Sequence, residues 1–103
     1  MVDFPYRTVT IGSFEWDREK ETINVERHGV AFSDAVEAFL DPHRLIVKDS
    51  KHGTGEIRYF CVGLVQGRIA TVRFTLRNER IRIIGAGYWR KWRRWYEEKK
   101  ELR

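Results

Sequence analysis

The sequence has a single cysteine, Cys61, and this scarcity excludes an intrachain disulfide. There is also no run of eighteen apolar residues and no charged-then-apolar leader at the N-terminus, so we expect neither a membrane span nor a secretory signal. We therefore expect a soluble, cytoplasmic protein. Cys61 lies inside a predicted strand and is interpreted as a small core residue rather than a nucleophile.

Motifs for cofactor and metal chemistry are missing as well. The sequence contains no P-loop, no glycine pattern typical of dinucleotide binding and no zinc-type ligand spacing. The three histidines, His28, His43 and His52, show no pairing that would indicate a metal site. The sequence therefore predicts a protein that works with no cofactor and no bound metal.

Charge, by contrast, is abundant and unevenly distributed. The 103 residues are enough for one domain with a single modest core, and their formal net charge is +5. Residues 1–67 hold eight Lys/Arg and eleven Asp/Glu, whereas residues 68–103 hold twelve and four. A small domain with one strongly basic half suggests a nucleic acid or an acidic protein partner. A membrane surface is less supported, because the basic half is mostly predicted strand.

The order of the predicted elements indicates an α+β fold in one domain, 1–103. Residues 1–12 are interpreted as an N-terminal extension or a short edge strand. The first of two N-terminal helices follows Asp17, a good N-cap, and ends just before Gly29 as its left-handed stop. The second, capped by Ser33, covers Asp34–Leu40 and buries Leu40.

An antiparallel sheet of about four strands and a C-terminal helix complete the prediction. The strands are expected at Arg44–Lys48, Arg58–Val65, Ile69–Leu76 and Arg80–Ile84. The helix, Tyr88–Leu102, carries five aromatic residues within about 120° of its circumference. Two interpretations of this stripe stay open, namely packing on the sheet or a partner chain, and stacking on the bases of single-stranded RNA.

The last two strands predict a hairpin with arginine on one face and apolar side chains on the other. Side chains alternate between the two faces of a strand, and a turn at Asn78-Glu79 fixes which residues pair. One face then carries Arg73, Thr75, Arg80 and Arg82, and the other carries Phe74, Leu76, Ile81 and Ile83. A slip of one residue would bury the arginines, so the pattern specifies its own register.

The same register predicts a row of side chains across three strands. Arg58 lies opposite Thr75, Thr75 lies opposite Arg82, and Arg73 lies opposite Ile84. We call Arg58, Thr75 and Arg82 the arginine row. Arginine keeps its proton and its planar fork matches phosphate oxygens, so the row is a candidate anion site. The alternative is a set of solvated side chains on an open sheet face.

Two further groups are candidates for proton transfer. His52 lies in a polar loop beside Lys51, and a histidine there could act as a general acid or base near neutral pH. Tyr96 could supply a phenol, although its place in the aromatic stripe favours packing. If the arginine face binds a phosphodiester, the chemistry would be metal-free RNA cleavage, in which a 2′-hydroxyl attacks the adjacent phosphate and arginines stabilise the developing charge.

Several motifs resemble the BrnT toxins of type II toxin–antitoxin systems over about residues 14–96. The opening signature is Phe14-Glu15-Trp16-Asp17, Lys20, Asn24, His28-Gly29-Val30, Phe32, Ala35 and Asp41-Pro42. The middle and end of the pattern are Asp49, His52-Gly53, Glu56, Arg58, Gly63, Thr75, Ile81-Arg82-Ile83-Ile84, Ala86 and Tyr96.

The resemblance implies a RelE-like fold and a ribonuclease that halts translation. It also implies a BrnA-like antitoxin partner and a complex that binds operator DNA only through that antitoxin. The chain departs from the family at Gly85 and Gly87, where the family usually has serine and arginine, and at Arg93-Arg94, where it usually has a Glu-Arg pair. Arg90 or Lys91 could supply the lost charge.

The sequence thus predicts a toxin-type, metal-independent endoribonuclease that acts on RNA without contact with a membrane. The candidate catalytic residues are Arg82, Arg58, Arg80, His52 and Tyr96. The candidate RNA-binding residues are Arg73, Thr75, Lys51, Arg90, Lys91 and Arg94. The alternative is a catalytically degenerate module that holds an antitoxin-like partner or nucleic acid through its basic face. A homodimer and a heterotetramer with the antitoxin are both compatible with either function.

Overall fold

A computed structural model describes residues 8–49 and 55–102. The strands are β1 Thr8–Ile11, β2 Phe14–Asp17, β3 Leu45–Asp49, β4 Arg58–Val65, β5 Arg68–Arg77 and β6 Arg80–Gly87. The helices are α1 Arg18–His28, α2 Phe32–Ala35, which continues as a 3₁₀ helix over Val36–Leu40, and α3 Arg90–Glu101. The predicted α+β class is confirmed, whereas the numbers of strands and helices differ from the prediction.

The described residues form one six-stranded mixed sheet in the order β1-β2-β6-β5-β4-β3. The predicted meander of four antiparallel strands is confirmed as β3 to β6. The sequence reading missed β2, which pairs with β1 in a hairpin and lies parallel to β6. Strand β2 is hard to predict because its four residues are too few for a clear alternation of polar and apolar side chains. Its parallel partner, β6, also lies far along the chain. The edge-strand interpretation holds for residues 8–11, and residues 1–7 lie outside the described part.

The predicted turn at Asn78-Glu79 is present, and a second two-residue turn, Gln66-Gly67, joins β4 to β5; together they fix the register of the meander. Gln66 and Asn78 have φ values of 50° and 49°, which suit the primed turns that match strand twist. One predicted pair is wrong, because a β-bulge lies between Ile83 and Gly85. Arg73 therefore pairs with Gly85 rather than with Ile84. The extra residue in the bulge changes which side chains of β6 face the core.

The hydrophobic core lies between one face of the sheet and the α2 segment. Trp16 and Phe32 make an edge-to-face contact at 6.4 Å between ring centroids, and Phe39 meets Phe74 in the same way at 5.0 Å. Two expectations for this segment are wrong. The helix begins at Phe32 after Ala31, so Ser33 is not its N-cap. Leu40 is 72% exposed, because 3₁₀ winding, with three residues per turn, carries it out of the core.

Gly63 on β4 lets the 3₁₀ helix approach the sheet closely. A Cβ atom at this position would lie 2.5 Å from the carbonyl oxygen of Ala38, which is backbone and cannot rotate away. We expect Gly63→Ala to lower the free energy of unfolding by about 2 kcal/mol. Urea denaturation checks this, with Gly85→Ala as the matched control, because a Cβ there meets only the Asn24 Oδ1 atom at 3.9 Å. Equal midpoints for the two variants would contradict the close-approach argument.

Helix α1 is fixed beside β6 by the buried side chain of Asn24. Its amide donates to the Ala86 carbonyl at 2.9 Å, and its carbonyl oxygen accepts from the Ala86 N–H at 3.1 Å. It also donates to the carbonyl of Val30. The side chain thus replaces a strand partner at the point where β2 has ended. The predicted caps of α1 are confirmed, since Asp17 accepts from the first turn and Gly29 ends the helix at φ 71°.

Helix α3 packs on the face of the sheet that carries the arginine row. Trp92 contacts Phe60 at 5.2 Å between ring centroids, and Phe60 shares a face with Arg58 two residues away on β4. Tyr96 is 2% exposed. The packing interpretation of these two aromatics is therefore confirmed, and the face that was expected to be open is partly covered. Over the described ranges, none of the helices is long and apolar enough to cross a membrane.

Candidate functional site

The arginine row exists as the sequence predicted, and the sheet extends it at both ends. Arg58 pairs with Thr75 and Thr75 with Arg82. Beyond these, Glu15 on β2 lies opposite Arg82, and Asp49 on β3 lies opposite Arg58. Acidic and basic positions therefore meet on one face across five strands.

Arg82 is held by a carboxylate from the other end of the chain. Its Nη1 atom lies 2.9 Å from Oε2 of Glu15, and the two side chains are 18% and 16% exposed. Both side chains of the pair are therefore largely buried. A bound anion would have to share the guanidinium with Glu15 or displace it.

Thr75 lies at the centre of the row, but its hydroxyl is already used. It is 1% exposed, and its Oγ1 donates to the backbone carbonyl of Ile57 at 2.6 Å. This bond fixes the chain just before β4 and so positions Arg58. The placement favours a structural contribution from Thr75 over direct contact with RNA.

Glu56 brings a second carboxylate towards the row. It forms a two-point ion pair with Arg77, at 2.6 Å to Nε and 3.1 Å to Nη2. These hydrogen bonds from Arg77 hold the pKa of the Glu56 carboxyl below its ordinary value. The positive charges of Arg58 and Arg82 act in the same direction. Glu56 is therefore ionised at neutral pH beside the arginine row.

Two other predicted arginines lie near the row in different surroundings. Arg80 donates from Nη1 to the carbonyl of Gly12 and so ties the β1–β2 turn to β6. Arg73 lies on the same face as Thr75, two residues along β5. Its Nε is buried and has no hydrogen-bond partner among the residues described. Arg73 thus keeps an unmet donor, whereas Arg80 is engaged by the Gly12 carbonyl.

The remaining candidates lie apart from the row or outside the described residues. The Tyr96 hydroxyl donates to Oδ2 of Asp41 at 2.6 Å, which favours a structural role over a catalytic one. Arg90, Lys91 and Arg94 are exposed on α3. The predictions for His52 and Lys51 fall on residues that the structure does not describe.

Sequence reasoning missed the roles of the two carboxylates that accompany the arginines. The sequence predicts no strand at Glu15, and only the unforeseen pairing of β2 with β6 brings it to Arg82. Glu56 follows a glycine-rich loop without periodicity, so no pattern pointed to Arg77. The predicted face carries four basic groups and no acidic one. This missing counter-charge was the signal in the sequence that carboxylates from elsewhere in the chain would lie beside the arginines.

The structure also bears on metal and thiol chemistry. Within residues 8–49 and 55–102, no group of three or more histidine, cysteine, aspartate and glutamate side chains is arranged to hold a metal ion. Cys61 is fully buried, and burial raises the pKa of its thiol to about 12. The thiol therefore stays protonated at neutral pH, which supports its interpretation as a core residue.

Comparison with known proteins gives one finding about the family. A search of curated proteins returned no match. A family model described as the ribonuclease toxin BrnT of type II toxin–antitoxin systems matches residues 16–92, about three quarters of the chain. The matched range includes Arg58, Arg73 and Arg82. The chain therefore belongs to the BrnT family of ribonuclease toxins of type II toxin–antitoxin systems.

Proposed function

We propose that this protein is an endoribonuclease that cleaves RNA without a metal ion and that its reaction centre is the arginine row. The observation that carries the proposal is the placement of Arg58 and Arg82 on either side of Thr75, beside the carboxylates of Glu15 and Glu56. Permanent cations supply charge stabilisation, and carboxylates supply a proton acceptor. These are the two requirements of phosphodiester transfer by a neighbouring hydroxyl.

The reaction balances with groups from the chain and from the RNA. The 2′-hydroxyl oxygen forms a bond to the adjacent phosphorus, and its proton passes to a carboxylate. The bond from phosphorus to the 5′-oxygen breaks, and that oxygen leaves with a proton. The products are a 2′,3′-cyclic phosphate and a 5′-hydroxyl. Arg58 and Arg82 stabilise the extra negative charge on the phosphate oxygens during the transfer.

Glu15 is the carboxylate best placed to accept the proton. A phosphate that binds Arg82 competes with Glu15 for the same guanidinium, and this competition frees the Glu15 carboxylate next to the bound phosphodiester. Glu56 is engaged at two points by Arg77 and serves mainly to orient the arginines. His52 remains the predicted proton donor to the leaving 5′-oxygen. Arg80 and Lys51 would bind flanking phosphates.

The function is tested by incubating the purified protein with single-stranded RNA in excess chelator. We expect cleavage that continues in the chelator, because arginine charge replaces the metal in stabilising the transition state. Electrophoresis checks for fragments. Fragments whose 3′ ends resist both a ligase that needs a free 3′-hydroxyl and a phosphomonoesterase carry the cyclic phosphate. Cleavage that stops in chelator and returns with a divalent cation would contradict the metal-free mechanism.

A second candidate function is a binding module that has lost catalysis. Two observations favour it. Arg82 is already neutralised by Glu15. At Gly87 a side chain would collide with the Trp89 ring, since a Cβ there would lie 2.5 Å from it, so the position holds no functional group. Intact RNA after incubation with a folded protein that still binds RNA would favour this function.

A type II toxin has an antitoxin partner, and we propose one of the BrnA type for this chain. The basic half of the chain, residues 68–103, offers a surface for an acidic segment of that protein. Operator DNA would be bound through the antitoxin, in a heterotetramer or another assembly. Co-expression followed by size-exclusion chromatography tests the partnership.

A further inference from the structure

A cleft of about 450 Å³ lies beside the arginine row, between α1, β6 and α3. Its floor includes Arg73 and Gly85, which pair across β5 and β6. A side chain at Gly85 would meet only the Asn24 amide oxygen, at 3.9 Å, so the glycine keeps the floor open. The cleft has the size of a small-ligand pocket, and it is distinct from the groups assigned to the reaction.

The charged residues that line the cleft are all basic. Lys20 and Arg27 come from the exposed side of α1, and Arg73 comes from the sheet. No carboxylate is found among the described lining residues. The buried Nε of Arg73 has no partner in the described part of the chain. A buried donor of this kind costs free energy. The exposed positive charge of Lys20 and Arg27 is what makes the cleft suited to an anion.

The opposite wall of the cleft is aromatic. Trp92 is braced by Phe60, and Trp89 is held between His28, at 5.3 Å between ring centroids, and the backbone of Gly87. Trp89 is nevertheless 44% exposed. Large rings that are fixed in place and still accessible are the usual platform for an unpaired base.

The cleft is continuous with the arginine row along β5. Arg73 and Thr75 point to the same face two residues apart, a separation of about 7 Å. This spacing resembles that of neighbouring phosphates in an extended single strand. We propose that the cleft binds one nucleotide of single-stranded RNA next to the cleaved phosphate, an inference that rests on the proposed ribonuclease function. Its phosphate lies on Arg73 and Lys20, and its base stacks on the wall formed by Trp89 and Trp92.

Binding is measured with a labelled single-stranded 2′-O-methyl oligoribonucleotide, which lacks the attacking hydroxyl and cannot be cleaved. We expect Trp92→Leu to raise Kd about tenfold with an unchanged salt dependence, because stacking releases no counterions. We expect Lys20→Gln and Arg73→Gln to raise Kd severalfold and to lower the slope of log Kd against log salt by about 0.7 each.

A matched control separates the cleft from general effects. Lys99→Gln removes one positive charge from the far end of α3, and Lys99 does not line the cleft. This variant should bind like the parent. Thermal unfolding confirms that each variant is folded. Lys20 is exposed, so its replacement tests the cleft even if Trp92→Leu unfolds.

The outcomes distinguish the cleft from the ribonuclease. RNA cleavage by the parent in chelator, together with parent-like binding by the Lys20 and Trp92 variants, would overturn the nucleotide site in the cleft and leave the proposed ribonuclease function intact. If binding depends on the cleft residues but the parent does not cleave RNA, the nucleotide site is supported and the proposed ribonuclease function is overturned. Variants that lose only the antitoxin would assign the surface to a protein partner and contradict the nucleotide site.

Discussion

Replacing Arg82 with alanine is expected to lower the rate of RNA cleavage by about 100-fold or more while the protein remains folded. In the proposed reaction Arg82 provides donors at the position where negative charge develops on the phosphate, and removal of one such donor costs a factor of this size. The variant also leaves Glu15 without its ion-pair partner. Because more than four fifths of each side chain is buried, the uncompensated carboxylate is expected to lower the unfolding free energy by about 2 kcal/mol.

The measurement is the initial rate of cleavage of a defined RNA in chelator, with circular dichroism to confirm folding. Lys99→Ala is the matched control, since it removes one positive charge from the last turn of α3. Arg82→Lys should retain charge but lose the planar fork, and we expect a rate between those of the parent and the alanine variant. A folded Arg82→Ala variant with the parent's rate would remove this residue from the site.

Replacing Asp41 with alanine is expected to cost about 3 kcal/mol of unfolding free energy, the largest loss of stability that we expect for a residue outside the arginine row. One buried carboxylate accepts from the Tyr96 hydroxyl at 2.6 Å, the Leu64 N–H at 2.9 Å and the His43 N–H at 2.8 Å. Its removal leaves buried donors on α3 and β4 without an acceptor. Urea denaturation of the parent, Asp41→Ala, Tyr96→Phe and the double variant gives the coupling between the two side chains.

The contribution of Asp41 should also depend on pH. Burial acts to raise the pKa of this carboxyl, but the hydrogen bonds from Tyr96, His43 and Leu64 outweigh it, and the folded-state pKa lies below 3.8. A pKa depressed by folding stabilises the protein fully above the unfolded value, and this stability is lost as the pH falls through the folded value. We expect Asp41→Asn to flatten the loss of stability below about pH 4. A parent and variant with parallel acid profiles would contradict this assignment.

The sequence was most informative where local chemistry decides the structure. Asp17 and Gly29 bound α1 as their capping preferences predict, and the turn at Asn78-Glu79 set the register that joins Arg58 to Arg82. In both cases a few neighbouring residues determine the geometry.

The features that sequence reasoning missed depend on contacts between distant parts of the chain. The pairing of β2 with β6 brings Glu15 to Arg82 across 67 positions, and no local pattern reports it. The bulge at Ile84 moved Gly85 opposite Arg73, which opened the floor of the cleft. The spacing of the aromatic residues predicted the helix, but it did not show what the aromatic side chains contact. Packing against Phe60 and stacking on a base require the same spacing.

The parallel contact between β2 and β6 has a consequence for the order in which this toxin matures during synthesis. β2 is made early in synthesis, yet its inner neighbour in the sheet of the described residues is β6, the last of the described strands. Until β6 has been made, Glu15 has no arginine opposite it and β5 has an unpaired edge. Assembly of the proposed reaction centre thus requires a long-range contact, and we expect a nascent or truncated chain that ends before Arg80 to leave the RNA around it uncut.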